Sequence, residues 1–156
     1  PDVSVTFSTV TAGGNMTTTT DTTGPPPPTG YKIIENAGQP IYYDITTTAT
    51  YSGPLDLCIN YDESQVPGGN EAALKLLKWD GSTWQDVTTS VDTENNRIHG
   101  TTTSLSTFIV AGPPAPVGGI AFPPDKLALL APYIILAALI AIGAVSVVVY
   151  WRRYSK

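Results

Sequence analysis

The sequence has few of the residues on which catalytic and metal sites usually depend. It contains one cysteine, Cys58, and one histidine, His99. A transition-metal site needs more ligands of these types, and a nucleophile paired with a base normally needs a third group to orient the base. No disulfide can form within these residues, and we expect Cys58 to be buried and inert rather than bridged to another chain. His99 alternates out of phase with Ile98, so we expect it at the solvent face or the sheet edge.

Sequence patterns for other chemistry are also missing. No glycine-rich loop of the phosphate-binding or dinucleotide-binding type is present. Acidic residues occur in the segments DESQVPGGN (62–70) and DTENN (92–96), but neither has the alternating spacing of a calcium loop. Asx turns and solvated charges are the simpler interpretation, and nothing singles out a carboxylate pair for glycoside hydrolysis. We therefore predict no enzymatic activity, no catalytic residue, no metal site and no cofactor.

Basic residues are rare in the first 112 positions. Twelve acidic residues there face only four basic ones, Lys32, Lys75, Lys78 and Arg97. This balance argues against binding to nucleic acid or to anionic lipid by that region. The same region contains 22 threonines, and its length suits a single domain. It is typical of a soluble domain that lies outside the cytoplasm.

A long hydrophobic run is present at the other end of the chain. The stretch 127–151, LALLAPYIILAALIAIGAVSVVVYW, carries no charge. As a helix it would reach roughly 37 Å, more than the ~30 Å hydrocarbon core of a bilayer. We predict that it spans a cell membrane once, in preference to a buried core helix or a cleavable sorting tail.

The charges beside the predicted span set its orientation. Arg152, Arg153 and Lys156 follow it, whereas Asp125 and Lys126 on the other side cancel. The positive-inside rule places the tail 152–156 in the cytoplasm and the N-terminal domain in the periplasm or outside the cell. Export of that domain needs a leader, so we expect either a removed signal peptide or a longer precursor before Pro1.

One face of the predicted helix is lined with small residues. Ala137, Ala141 and Ala144 recur at the spacing of one helical face. Small side chains let two membrane helices approach closely, which is how such helices associate without a hydrophobic driving force. We therefore expect partners among other membrane-protein subunits, in addition to the lipid bilayer. Between this helix and the domain, residues 113–126 form a linker rich in proline and glycine.

Residues 1–112 show the alternation of half-buried strands. Val3, Val5 and Phe7 alternate with polar residues, as do the apolar positions of 55–61. Strong turn signals separate the runs, the clearest being Asp80-Gly81 between two tryptophans, and a strand is expected over 87–91. Eight or nine short strands without a soluble helix predict an all-β fold. We expect an antiparallel β-sandwich, Ig-like in architecture, followed by one C-terminal transmembrane α-helix.

The segment 71–112 resembles a known kind of module. It contains an apolar strand, a W-x-G-x-x-W-like hairpin, DVTT, an NN turn and then GTTTSLSTF. It is similar to β-sandwich modules of uncharacterised bacterial and archaeal surface proteins, and loosely to the C-terminal strands of ZU5-like domains. The resemblance implies a sandwich fold and a location outside the cytoplasm. It implies no catalytic residue.

Two further features suggest surface sites. Trp79 and Trp84 flank the Asp80-Gly81 turn and could stack on sugars, although such pairs more often stabilise a hairpin. Asn15-Met16-Thr17 is a sequon for N-glycosylation. Our main hypothesis is a non-enzymatic, single-pass accessory or structural subunit of a membrane complex or cell-surface assembly. The alternatives are a glycan-binding or adhesion module and the anchor end of a longer exported protein.

Overall fold

The computed structural model describes residues 2–115. Within these residues no helix is long and apolar enough to cross a membrane. The predicted span 127–151, the tail 152–156 and nearly all of the linker 113–126 lie outside the described residues. The predicted domain 1–112 falls almost entirely within them.

The described chain is built from β-strands, as the alternation predicts. Three short 3₁₀ turns interrupt it, at Glu63–Gln65, Pro67–Gly69 and Glu71–Ala73. The strands are β1 (Val3–Ala12), β2 (Met16–Asp21), β3 (Lys32–Ile33), β4 (Glu35–Asn36), β5 (Gln39–Pro40), β6 (Tyr42–Thr47), β7 (Thr50–Asn60), β8 (Lys75–Trp79), β9 (Trp84–Asp86), β10 (Thr88–Asp92), β11 (Arg97–Thr102) and β12 (Thr107–Gly112). Nine of these twelve strands of residues 2–115 have three or more residues, which agrees with the expected eight or nine.

The strands form two main antiparallel sheets. The first has the order β1-β7-β11-β10, and the second has the order β2-β6-β12-β8-β9 with β3 also paired to β12. Strands β4 and β5 make a separate small hairpin. The expectation of antiparallel pairing is confirmed at each of these contacts.

One hydrophobic core joins the two sheets. From the first sheet Leu55, Leu57 and Ile59 are buried, and from the second Tyr43 and Phe108 pack in the same cluster. The alternation predicted in 55–61 is therefore confirmed. Val3, Val5 and Phe7 contact the core but are only half-buried. The reason is that β1 is an edge strand and has a neighbour on one side only.

A paired ribbon passes from one sheet to the other at a corner. β1 pairs with β7 in the first sheet, and β2 pairs with β6 in the second. β1 and β2 are consecutive in the chain, and so are β6 and β7. The crossing point is Gly14, where an added Cβ would lie 2.6 Å from the Cα of Ala49. No real side chain tolerates such an approach to backbone, so the corner requires glycine. The Ala12-Gly13-Gly14 turn signal therefore marks a change of sheet.

The chain changes sheets a second time at Val87. Its N–H donates to the carbonyl oxygen of Leu76 in the second sheet, at 3.0 Å. Its own carbonyl oxygen accepts from the N–H of Thr101 in the first sheet, at 2.9 Å. The bounds predicted for this strand, 87–91, were therefore wrong by one residue. Val87 bridges the two sheets, and β10 runs over Thr88–Asp92.

The second sheet is also hydrophobic on its outer face. A second cluster there contains Ile33, Tyr42, Leu77, Ile109 and Ala111, with Tyr31 and Trp84 packed against it. The proline-rich segment 25–28 is fastened beside it by two side-chain hydrogen bonds to its carbonyl oxygens. Strand β12 is consequently buried from Phe108 onward. Its continuous apolar run is explained by cover on both faces.

Candidate functional site

Trp79 and Trp84 pair directly beside the turn of their hairpin, as the last residue of β8 and the first residue of β9. Their ring centroids are 5.2 Å apart and the ring planes are inclined by 58°. Both side chains are half-buried, and the indole nitrogen of Trp84 donates to the carbonyl oxygen of Pro26 at 2.8 Å. A sugar-stacking platform would need exposed and coplanar rings. This geometry favours a structural role, which is to hold the hairpin and the proline-rich segment together.

Asn15 lies in the exposed turn that connects β1 to β2. Its backbone N–H donates to the Thr48 hydroxyl at 2.9 Å, and its carbonyl oxygen accepts from the Thr48 N–H at 3.0 Å. The residue itself and the next two of the sequon are exposed. The site is therefore accessible to a glycosylating enzyme while its backbone is held in place. Whether it is modified stays a prediction.

Cys58 and His99 are brought together by strand pairing. They are direct partners across β7 and β11, and Sγ lies 3.9 Å from Nε2. Both are half-buried on the outer face of the first sheet. The expectation that Cys58 is buried was wrong, because it shares the polar face of β7 with Asp56 and Asn60. His99 lies on the polar face, as its alternation indicates.

The Cys58 and His99 pair has the two partners of a nucleophile and its base. A base of this kind is normally oriented by a carboxylate or amide on its other ring nitrogen. Among the described residues, no side chain is hydrogen-bonded to Nδ1 of His99. Asp56, a carboxylate on the same face of β7, accepts instead from the Thr101 hydroxyl at 2.7 Å. Within residues 2–115 the pair is therefore a thiol–imidazole contact whose imidazole is not oriented by a side chain on Nδ1.

The acidic loop residues form the turns that the sequence indicates. Asp62 accepts from the backbone N–H of Ser64 at 2.9 Å, which makes an Asx turn. Asp92 accepts from the N–H of Asn95 at 3.1 Å and from its side-chain amide at 2.8 Å. The hydrogen bonds from Asn95 hold the pKa of Asp92 below its usual value. Within residues 2–115, no group of three or more His, Cys, Asp or Glu side chains converges as metal ligands would.

A small cavity lies at one end of the sandwich. It has a volume of about 250 Å³ and is lined by Ile34, Glu35, Asn36, Ile41, Tyr43, Asn60, Tyr61 and Asp62. This volume is just below the roughly 300 Å³ at which ligand pockets usually begin. The Tyr61 hydroxyl is already engaged, since it donates to Glu71 at 2.6 Å. Sequence reasoning did not find this cavity, because the residues come from three separate segments, 34–36, 41–43 and 60–62, with no shared motif.

Comparison with known proteins adds no homologue: no family model matches the chain, and no curated protein or solved structure matches it either. The resemblance of 71–112 to surface-protein modules therefore remains an interpretation of its motifs. The predicted helix-packing residues Ala137, Ala141 and Ala144 lie outside the described residues.

Proposed function

We propose that this protein is a non-enzymatic, single-pass membrane protein that serves as an accessory or structural subunit of a membrane complex or cell-surface assembly. Its Ig-like β-sandwich would lie in the periplasm or outside the cell. The uncharged stretch 127–151 would be the membrane helix, and the basic tail would be cytoplasmic. The partners would be the bilayer and other membrane-protein subunits.

The observation that carries this proposal is the position of the strand that leads into the linker. The last strand, β12, is central in its sheet and pairs with β6 and β3 on one side and β8 on the other. Phe108, Ile109 and Ala111 are completely buried. A linker that follows such a strand is attached to a part of the domain that is buried and hydrogen-bonded on both sides. Such an attachment suits a module that is anchored through its C-terminal end.

The length of the linker supports a position close to the bilayer. Residues 112–126 can span at most ~45 Å when fully extended. Five prolines in this stretch favour an extended and fairly stiff connection. The domain would then be held near the membrane surface, where it can contact the outer parts of neighbouring subunits.

The proposal is tested by purification of the full chain from its native membranes in mild detergent. We expect the protein to remain in the membrane fraction after a carbonate wash and to co-purify with other membrane proteins. Ala141→Leu should weaken that association, whereas Ala128→Leu, on the opposite face of the predicted helix, should not. Release by carbonate, or purification as a single monomer, would contradict the proposal.

A further inference from the structure

The four edge strands of the two sheets differ in how well they are protected from further strand pairing. Natural sheets protect their edges by short strands, bulges, charges or cover. β1 has two register shifts along its pairing, β10 has one, and β9 has only three residues. β2 has six residues, pairs with β6 without a register shift, and is exposed throughout. It is therefore the edge most open to an added strand.

The hydrogen bonds around β2 show which of its backbone groups are free. Thr48 donates its N–H to the carbonyl oxygen of Asn15, so Asn15 faces the neighbouring strand. Residues of an antiparallel strand face their two neighbours alternately. Thr17 and Thr19 therefore use their N–H and C=O groups within the sheet. The groups that point to the free edge belong to Met16, Thr18 and Thr20.

A second hydrogen bond leads independently to the same assignment of inward and outward residues on β2. Ile45 in β6 donates its N–H to the carbonyl oxygen of Ser106, on the side of β12. The adjacent Asp44 must then face β2, where its partner is Thr19. Thr19 again faces inward, and Thr18 beside it faces outward.

We propose that β2 pairs with β2 of a second copy of this chain, antiparallel and with Thr18 opposite Thr18. The outward positions are symmetric about Thr18, so Met16 of one copy meets Thr20 of the other and each pair exchanges both backbone bonds. Thr17 then lies opposite Thr19, and neutral threonine pairs of this kind stabilise a sheet. Such an arrangement is the self-complementary contact of a two-fold dimer.

A second copy of this strand meets no charge repulsion in the proposed register. Between Asn15 and Asp21 the only charged residue is Asp21 itself. In the proposed register Asp21 lies opposite the amide side chain of Asn15, and the two Asp21 carboxylates are at opposite ends of the interface. No like charges meet. This dimer goes beyond the proposed function and does not depend on whether 127–151 spans a membrane.

Cysteine cross-linking tests the register in the full chain. In a Cys58→Ser background, Thr18→Cys should form a disulfide-linked dimer on mild oxidation, because directly paired strands place the two Cα atoms within disulfide range. Thr89→Cys, on the bulged edge strand β10, is the matched control and should link at least fivefold less. Equal linking of the two variants, or linking of Thr18→Cys only to another protein, would overturn the proposal.

Proline substitution separates edge pairing from association through the predicted helix. In an Ala141→Leu background, Thr18→Pro removes an outward N–H, which an edge strand tolerates. We expect the dimer mass in detergent to fall to that of a monomer, with little change in melting temperature. Thr17→Pro removes an inward N–H and should lower the melting temperature instead. A dimer that persists in Thr18→Pro would overturn the proposal and leave the proposed function unaffected.

Discussion

The indole nitrogen of Trp84 donates a hydrogen bond to the carbonyl oxygen of Pro26, 58 positions earlier in the chain, at 2.8 Å. This bond fastens the proline-rich segment beside the outer hydrophobic cluster of the second sheet. Trp84 packs against the outer hydrophobic cluster and binds the proline-rich segment, and we therefore expect it to stabilise the domain.

Trp84→Phe should reduce the free energy of unfolding by about 1 kcal/mol more than Trp79→Phe does, since both substitutions shrink the indole to a phenyl ring but only the first removes a hydrogen bond. Urea denaturation measures the change. Trp79→Phe is the control, because the indole of Trp79 is not the donor to Pro26, and it should have a smaller effect. Equal effects of the two substitutions would contradict the role assigned to the bond.

Gly14→Ala should destabilise the domain by about 1–3 kcal/mol. The added Cβ would lie 2.6 Å from the Cα of Ala49 and 2.5 Å from the carbonyl carbon of Thr48. These are backbone atoms, so the corner between the sheets has to open. Gly13→Ala is a matched neighbour with nothing within 4 Å of its added Cβ, and it should leave thermal unfolding nearly unchanged. A similar loss in both variants would rule out the contact as the cause.

Tyr61→Phe should cost about 1.5–3 kcal/mol, because the hydroxyl donates to Glu71 at 2.6 Å and the ring is buried. Chemical denaturation at pH 7 measures this loss. The Glu71→Gln variant should lose part of the same stability and show a reduced further effect of Tyr61→Phe. Additive losses from the two substitutions would mean that the pair does not interact.

The same tyrosine predicts a response to alkali. Burial first, and then the hydrogen bond to Glu71 and nearby carboxylates, raise the pKa of Tyr61 well above its usual value. A raised pKa in the folded state gives stability that is complete below the unfolded pKa of about 10 and is lost as the pH rises further. Tyr61→Phe should therefore lose less stability between pH 9 and 12 than the wild type. Burial also raises the pKa of Tyr43 to about 12, so some alkaline loss should remain in the variant.

Asp80→Asn should lower the melting temperature at neutral pH. The carboxylate of Asp80 accepts from the N–H groups of Thr83 at 2.7 Å and Ser82 at 2.8 Å, and these bonds hold its pKa well below the usual value. A lowered pKa gives stability that is present above the unfolded value of about 3.9 and is lost as the pH falls. The difference between wild type and variant should therefore shrink below pH 4. Glu94→Gln, which removes an exposed carboxylate of another turn, is the control and should leave the melting temperature at neutral pH close to that of the wild type.

Local alternation was sufficient to predict much of the fold. The buried positions Leu55, Leu57 and Ile59 follow the period of two, and the tight turn at Asp80 and Gly81 lies between two paired strands. These features depend on neighbours in sequence, which explains why they could be predicted. The prediction for Cys58 failed because a general tendency of free cysteines was preferred to the alternation of its own strand.

The candidate sites were harder to predict, since each depends on residues far apart in the chain. Nothing near Trp84 in sequence indicates that Pro26 will accept its hydrogen bond. The contact between Cys58 and His99 likewise depends on the register of β7 against β11. The end cavity combines separate loops and strand ends, and no spacing rule connects them.

The amino-acid pattern alone was enough for an all-β antiparallel domain, its turns and the absence of a recognised catalytic motif, because these follow from the period of a strand and the conformational limits of glycine and proline. The order of strands within the sheets required the folded chain. That order makes β12 a central strand and β2 an open edge. It also determines that the backbone N–H and C=O groups of Thr18, and not those of Thr17, point outward. The physical reason is that hydrogen bonds between strands join residues that are distant in sequence, so which backbone groups stay free depends on the pairing of the whole sheet.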